Sequence, residues 1–186
     1  MMEKSKTCSF FGHRNVETTE ELKQKVKQTV EYLITQCQVS TFLFGSRSNF
    51  NTLCHLVVSE LKEEYPHVKR IAYTCKSETC ILESERKKWK KLYSLFQNEK
   101  VPFLCVEKEI EHETKYTAGK GAYVERNYAM IDDSDYCVFY YKENYQPKPR
   151  KYSKRNLTDY QPKSGTALAF HYATKKQKDI INLSKY

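Results

Sequence analysis

A rhythm constrains this chain more than any single motif. Short apolar runs alternate with longer runs of helical period. The short runs cover residues 7–11, 41–44, 71–74, 102–106, 136–141 and 180–183. Each is rich in aromatic, β-branched or cysteine residues and is apolar on both faces, as a strand buried on both sides reads. Between them lie amphipathic stripes. After the capping-box pattern Thr18-x-x-Glu21, the residues Leu22, Val26, Val30, Leu33 and Cys37 recur at helical spacing. Phe50, Leu53, Cys54, Val57, Val58, Leu61 and Tyr65 form a second stripe. Trp89, Leu92 and Phe96 mark a third helix; Val124, Asn127/Tyr128 and Ile131 a fourth; Thr166, Ala169/Phe170 and Ala173 a fifth. Strand and helix alternate throughout. That predicts an α/β fold: a mostly parallel sheet of about six strands with helices on both faces.

Two segments break the rhythm. Residues 108–120 are polar and read as a loop. Residues 142–163 carry three prolines, three tyrosines and seven basic against two acidic residues. A connection of that length inside a compact domain is usually functional or disordered. The 186 residues fit one domain, 1–186, with this long basic loop inside it.

The net charge of +9 is local. Residues 85–91 and 142–163 together account for it, so a general nucleic-acid coat is not implied. Mean hydropathy is low at −0.77, and no apolar run approaches the roughly 20 residues of a membrane span. The apolar stretch 8–11 is too short for a signal-peptide core, so the protein is expected to be cytoplasmic. Seven cysteines, an odd number, sit mostly in apolar runs and read as reduced, buried small hydrophobes. Cys75 and Cys80 are the only close pair, with no further ligands at matching spacing, so no metal site is expected.

In an open parallel sheet, ligands bind at the carboxyl ends of the strands. Gly12-His13-Arg14 follows the first predicted strand, and Gly45-Ser46-Arg47-Ser48 the second. Cys75-Lys76-Ser77 follows the third, and Lys163-Ser164-Gly165-Thr166 precedes the last helix. Glycine admits close backbone approach, a helix N-terminus offers free N–H groups, and arginine matches phosphate. The alternative for any one loop is a plain tight turn with its arginine in solvent. Several such loops on one edge favour a phosphate-binding crevice. The standard G-x-G-x-x-G and G-x-x-x-x-G-K-[ST] motifs are absent, as are a G-x-S-x-G elbow and a Ser/His/acid order. Gly119-Lys120-Gly121 is discounted because no predicted strand precedes it. On the fourth helix, Asn127 falls on the stripe expected to be buried, and Glu125 and Arg126 flank it.

Four motifs carry a resemblance. They are Cys8-Ser-Phe-Phe-Gly-His-Arg14, Phe42-Leu-Phe-Gly-Ser-Arg-Ser-Asn-Phe50, Tyr123-Val-Glu-Arg-Asn-Tyr-Ala-Met130 with Ser134-Asp-Tyr136, and Ser164-Gly-Thr166. In order and over nearly the whole chain, they resemble the YpsA-like branch of the SLOG superfamily, which joins DprA (Smf) and the Lonely Guy phosphoribohydrolases. The resemblance implies a Rossmann-like three-layer sandwich in a bacterial or phage protein. It also implies a nucleotide-derived ligand such as NAD or ADP-ribose, and a proposed link of relatives to bacterial cell division. Lonely Guy enzymes cleave the N-glycosidic bond of nucleoside monophosphates. Arg126 matches their signature arginine, and Gly165-Thr166 their G-T. Their signature glutamate position holds Ala169, which can neither take up a proton nor stabilise an oxocarbenium-like centre.

The leading expectation is therefore a binder that senses or sequesters NAD, ADP-ribose or a cyclic ADP-ribose, and not an enzyme. Its pocket would be lined by Gly12, His13, Arg14, Gly45, Ser46, Arg47, Ser48, Arg126, Asn127, Lys163, Ser164, Gly165 and Thr166, with Tyr116 or Tyr123 stacking on a base. One alternative is a Lonely Guy-type hydrolase using another carboxylate, such as Glu78, Glu83 or Glu125. A second is DprA-type single-stranded nucleic-acid binding, with Tyr145, Tyr152 and Tyr160 interleaved with cations; a solvated loop is favoured over it. Ten of the fifteen tyrosines fall between Tyr116 and Tyr172. That fits a homodimer interface, and equally core packing or ligand stacking.

Overall fold

The computed structural model describes residues 5–45, 48–76, 106–116, 119–145 and 164–185. The expected third helix at 89–96, the basic run 85–91, Cys80, Cys105, Glu78 and Glu83 lie outside them. So do Ser46, Arg47, Lys163 and the body of the 142–163 segment.

The chain begins with β1 (Lys6–Gly12), α1 (Glu20–Thr35), β2 (Val39–Phe44), α2 (Asn49–Glu64) and β3 (Lys69–Thr74). It continues with β4 (Lys108–Glu111), α3 (Gly119–Asp132), β5 (Tyr136–Tyr140), α4 (Gly165–Lys175) and β6 (Asp179–Asn182), and a 3-10 turn at Leu183–Lys185 follows. The six strands are all parallel, in the order β4-β3-β2-β1-β5-β6. This is a Rossmann-like α/β sandwich.

Each central strand feeds both faces of the sheet. Cys8 and Phe10 of β1, Phe42 and Phe44 of β2 and Val138 of β5 pack with α1 and α2. Phe11, Leu43, Cys137 and Phe139 point the other way and pack with Met130, Ile131, Ala169 and Ala173 of α3 and α4. Phe10 stacks on Phe42 and Phe44 at 5.8 and 5.3 Å. Among the described cysteines, Cys8, Cys54, Cys75 and Cys137 are buried as expected of core hydrophobes, and Cys37 is half-buried. Burial pushes the Cys8 and Cys54 thiols well above their ordinary range, and that of Cys137 up to about 11.

Two expectations need correcting. Residues 108–120 are not one loop: they hold β4 and the start of α3. Among the described residues β4 is an edge strand reading Lys-Glu-Ile-Glu, and of these four only Ile110 packs against the core. A strand with one neighbour and a solvated face needs no apolar run, so its signal was invisible. Of the run expected as a strand at 102–106, residues 102–105 lie outside the described residues, and Val106 precedes β4. The cap of α1 also moves by one residue. Thr19, not Thr18, accepts from the Leu22 amide at 3.2 Å.

Candidate functional site

In a parallel sheet every βα connection leaves from the same edge, so β1, β2, β3, β4 and β5 all deliver their following residues to the carboxyl edge. The strand order reverses between β1 and β5. The chain steps outward from β1 through β2, β3 and β4, then returns to β5 on the other side of β1. Gly12, the last residue of β1, lies in register with Tyr140, the last of β5. Connections on the two sides of such a point diverge and leave a crevice.

His13 sits at this point of reversal and is only 2% exposed. The Lys142 amide donates to its Nε2 at 3.0 Å, so the ring proton belongs on Nδ1. Nδ1 is buried and has no hydrogen-bond partner among the described residues. Burial, with the nearby Lys142 charge, lowers the His13 pKa to about 4, and the Lys142 amide, by donating to Nε2, also favours the neutral ring. His13 is therefore a neutral imidazole at pH 7. Tyr145 stacks on it at 3.8 Å and 15°, and Tyr141 lies tilted beside it at 5.9 Å. Tyr141 in turn stacks on Phe170 of α4 at 4.5 Å. An aromatic chain thus links the end of β1 to the first turns of α4. Arg14 follows His13 and is exposed.

The β2 end is built differently. A Cβ on Gly45 would collide with Nη1 of Arg126 and lie 2.5 Å from Met130 Sδ and 2.9 Å from Arg126 Cδ. Arg126 is 3% exposed, with its guanidinium carbon 5.9 Å from the Tyr123 ring centre. A cation two turns into α3 is thereby brought against the loop that follows β2. Ser48 caps α2, its Oγ accepting from the Asn51 amide at 3.1 Å, and Ser164 caps α4 by accepting from the Ala167 amide at 3.1 Å. Thr166 is buried, and a Cβ on Gly165 would meet nothing within 4 Å.

Three expectations about these residues change. The space beside Gly12 and Gly45 is filled by protein: Phe50 occupies it at Gly12, and Arg126 with Met130 at Gly45. The buried face of α3 runs through Ala122, Arg126 and Met130 with Ile131, not through Val124 and Asn127. The seam is set by where α3 meets Gly45 and the sheet, so the buried polar residue is Arg126. Asn127 is half-buried, with an Oδ1 that lacks a hydrogen-bond partner among the described residues. Finally, Gly119-Lys120-Gly121 does follow a strand, β4, and opens α3 at the carboxyl edge. The exposed Tyr116 ring lies against Gly121.

Two asparagines escaped the sequence reading and shape the crevice. Asn51 Nδ2 donates to the Phe10 carbonyl at 3.0 Å, tying α2 to β1. Asn182 accepts from the Tyr141 amide at 3.0 Å and donates to the Tyr141 carbonyl at 2.9 Å, extending the β5 ladder by one residue. An asparagine reads as a turn or cap residue, so neither role had a sequence signal.

A depression of about 320 Å³ lies at the opposite edge, between Lys6, Asp135, Tyr136, Lys178 and Asp179. Lys178 Nζ is spent on the carbonyls of Asp132 and Ser134 at 3.1 and 2.6 Å, and Lys6 lies over the Tyr136 ring. It is a structural seam at the amino ends of the strands.

A doubly wound parallel sheet whose strand order reverses between β1 and β5 defines a Rossmann-like three-layer protein. A family model described as "YspA SLOG family" (YpsA) matches residues 4–173, and the chain belongs to that family. No curated protein matches it. Membership points to a nucleotide-related role, in binding or in hydrolysis. Among the described residues no helix is long and apolar enough to cross a membrane.

Proposed function

We propose that the protein binds a nucleotide-derived ligand such as NAD, ADP-ribose or a cyclic ADP-ribose at the carboxyl edge, and senses or sequesters it. The observation that carries this reading is the reversal of strand order between β1 and β5, with His13 and Arg14 at one lip and Tyr141 and Lys142 at the other. Arg14, Arg126 and the segment around Arg47 supply cations for phosphate. The capped starts of α2 and α4 supply amide donors, with Ser48 at one and Ser164, Gly165 and Thr166 at the other. Ala169 supports binding over hydrolysis. It is fully buried among Phe139 and Ala173, so no acid stands at the position where the related hydrolases carry their glutamate.

Titration calorimetry of the folded protein against NAD, ADP-ribose and cyclic ADP-ribose isomers tests the reading. Saturable binding of at least one is expected, weakened by Arg126→Ala. Flat titrations with all of them refute it. Base release from NAD or a nucleoside monophosphate, abolished by Arg126→Ala, would establish the hydrolase instead.

A further inference from the structure

We propose that the face of His13 is the stacking subsite for the planar base of the ligand, and that Tyr145 is the chain's own occupant of it, displaced when the base binds. The inference rests on the nucleotide reading above and adds where the base goes and what competes for its place.

Position comes first. His13 is the first residue beyond β1 at the strand reversal, where ligand rings and phosphates enter a doubly wound sheet. The ring is oriented: its Nε2 is fixed by the Lys142 amide, so its face and its Nδ1–H edge are the parts that remain for a ligand. Nδ1 is a buried donor with no hydrogen-bond partner among the described residues, in a side chain 2% exposed. Such groups are rare and call for an explanation. An acceptor lying in the ring plane, such as a ribose hydroxyl or phosphate oxygen of the same ligand, meets this donor while the base stacks on the face.

Tyr145 now covers the His13 face at 3.8 Å and 15°. A base cannot slip between two rings that close, because a sandwiched ring needs roughly twice that separation. A base that stacks on His13 therefore takes the place of Tyr145. The tyrosine is well placed to leave. It is half-buried and ends a four-residue turn, with its amide donating to the Lys142 carbonyl at 3.1 Å. Lys142, Glu143 and Asn144 in that turn are all exposed. Short exposed turns with few buried contacts open at low free-energy cost.

The test compares wild type, Tyr145→Ala and Tyr145→Phe, each checked for folding by circular dichroism. ADP-ribose carries a base; ribose 5-phosphate does not. Removing an internal competitor raises the binding-competent fraction, and one ring pair sets the gain at about five-fold. Tyr145→Ala is expected to bind ADP-ribose about five-fold more tightly, while Tyr145→Phe binds as wild type and ribose 5-phosphate affinity is the same in all three. Without ligand, the His13 ring proton resonances should lose an upfield ring-current shift in Tyr145→Ala and keep it in Tyr145→Phe. Equal or weaker ADP-ribose binding by Tyr145→Ala overturns the subsite and leaves the nucleotide reading standing. Silence of wild type and variants toward both probes, and toward NAD and the cyclic ADP-ribose isomers, overturns both. Unmoved His13 resonances overturn the stack itself.

Discussion

Replacing Gly12 with alanine separates two jobs that a glycine can do at the end of a strand. It can leave room for a ligand, or it can leave room for another part of the protein. A Cβ built on Gly12 would stand 2.5 Å from Cβ and Cδ1 of Phe50 and 2.6 Å from its Cγ. Ordinary carbon contacts are about 3.5–4.0 Å, so about 1 Å must be recovered. A new rotamer cannot supply it, because the Phe50 Cβ rides on the helix backbone. Helix α2 must shift, and it is pinned by the Asn51 bond to Phe10 at 3.0 Å and by the Asn49 amide donating to the Arg14 carbonyl at 3.1 Å. Phe50 is fully buried, so no solvent-side relaxation is open to it. Overpacking of this kind costs about 1–3 kcal/mol, and the upper end applies where backbone is trapped. At about 2–4 °C per kcal/mol for a chain of this size, the melting temperature should fall by about 6–12 °C. Thermal and urea unfolding followed by circular dichroism measure it. Gly165→Ala is the control: its Cβ would enter open space, so its stability should stay within about 0.5 kcal/mol of wild type. A Gly12→Ala protein as stable as wild type, with ligand binding lost, would show that the glycine serves the ligand and that the packing argument is wrong.

Other outcomes follow from the same geometry. Asn182→Ala removes both bonds to Tyr141 and should cost about 2 kcal/mol in urea unfolding, with faster amide exchange at Tyr141. Gln177 sits at φ 54° just past α4, where the amides of Gln177 and Lys178 donate to the Thr174 and Ala173 carbonyls at 3.0 and 3.1 Å. Gln177→Gly should therefore leave stability unchanged or raise it by up to about 1 kcal/mol; a clear loss would contradict the assigned cap. His13 has a folded pKa of about 4 against an ordinary 6.5. Its neutral form thus contributes stability that is complete above 6.5 and is lost as pH falls toward 4, by at most about 3 kcal/mol. Comparing wild type with His13→Gln across that window isolates it: the difference in unfolding free energy should shrink as pH drops, and a difference independent of pH would refute the assignment.

The sequence by itself determined the sheet's interior. The runs at 7–11, 41–44 and 136–141 announced β1, β2 and β5 because strands covered on both faces must be apolar on both. The stripe from Phe50 to Leu61 announced α2 because one of its faces must leave water. The glycine, histidine and arginine at the end of β1 were legible as edge residues for the same reason, since they follow a buried strand directly. Only the tertiary structure decided what faced what. Among the described residues β4 has one neighbour and little burial, so its Lys-Glu-Ile-Glu pattern resembled a loop. The buried side of α3 was settled by its contact with Gly45, which put Arg126 inside and moved Asn127 off the seam. The vacancy beside Gly12 went to Phe50 from a helix 38 residues further along. Tyr145 came to rest on His13 although 132 positions separate them. Periodicity reports the burial of a residue's own element. It carries no information about which distant side chain fills the space that burial leaves.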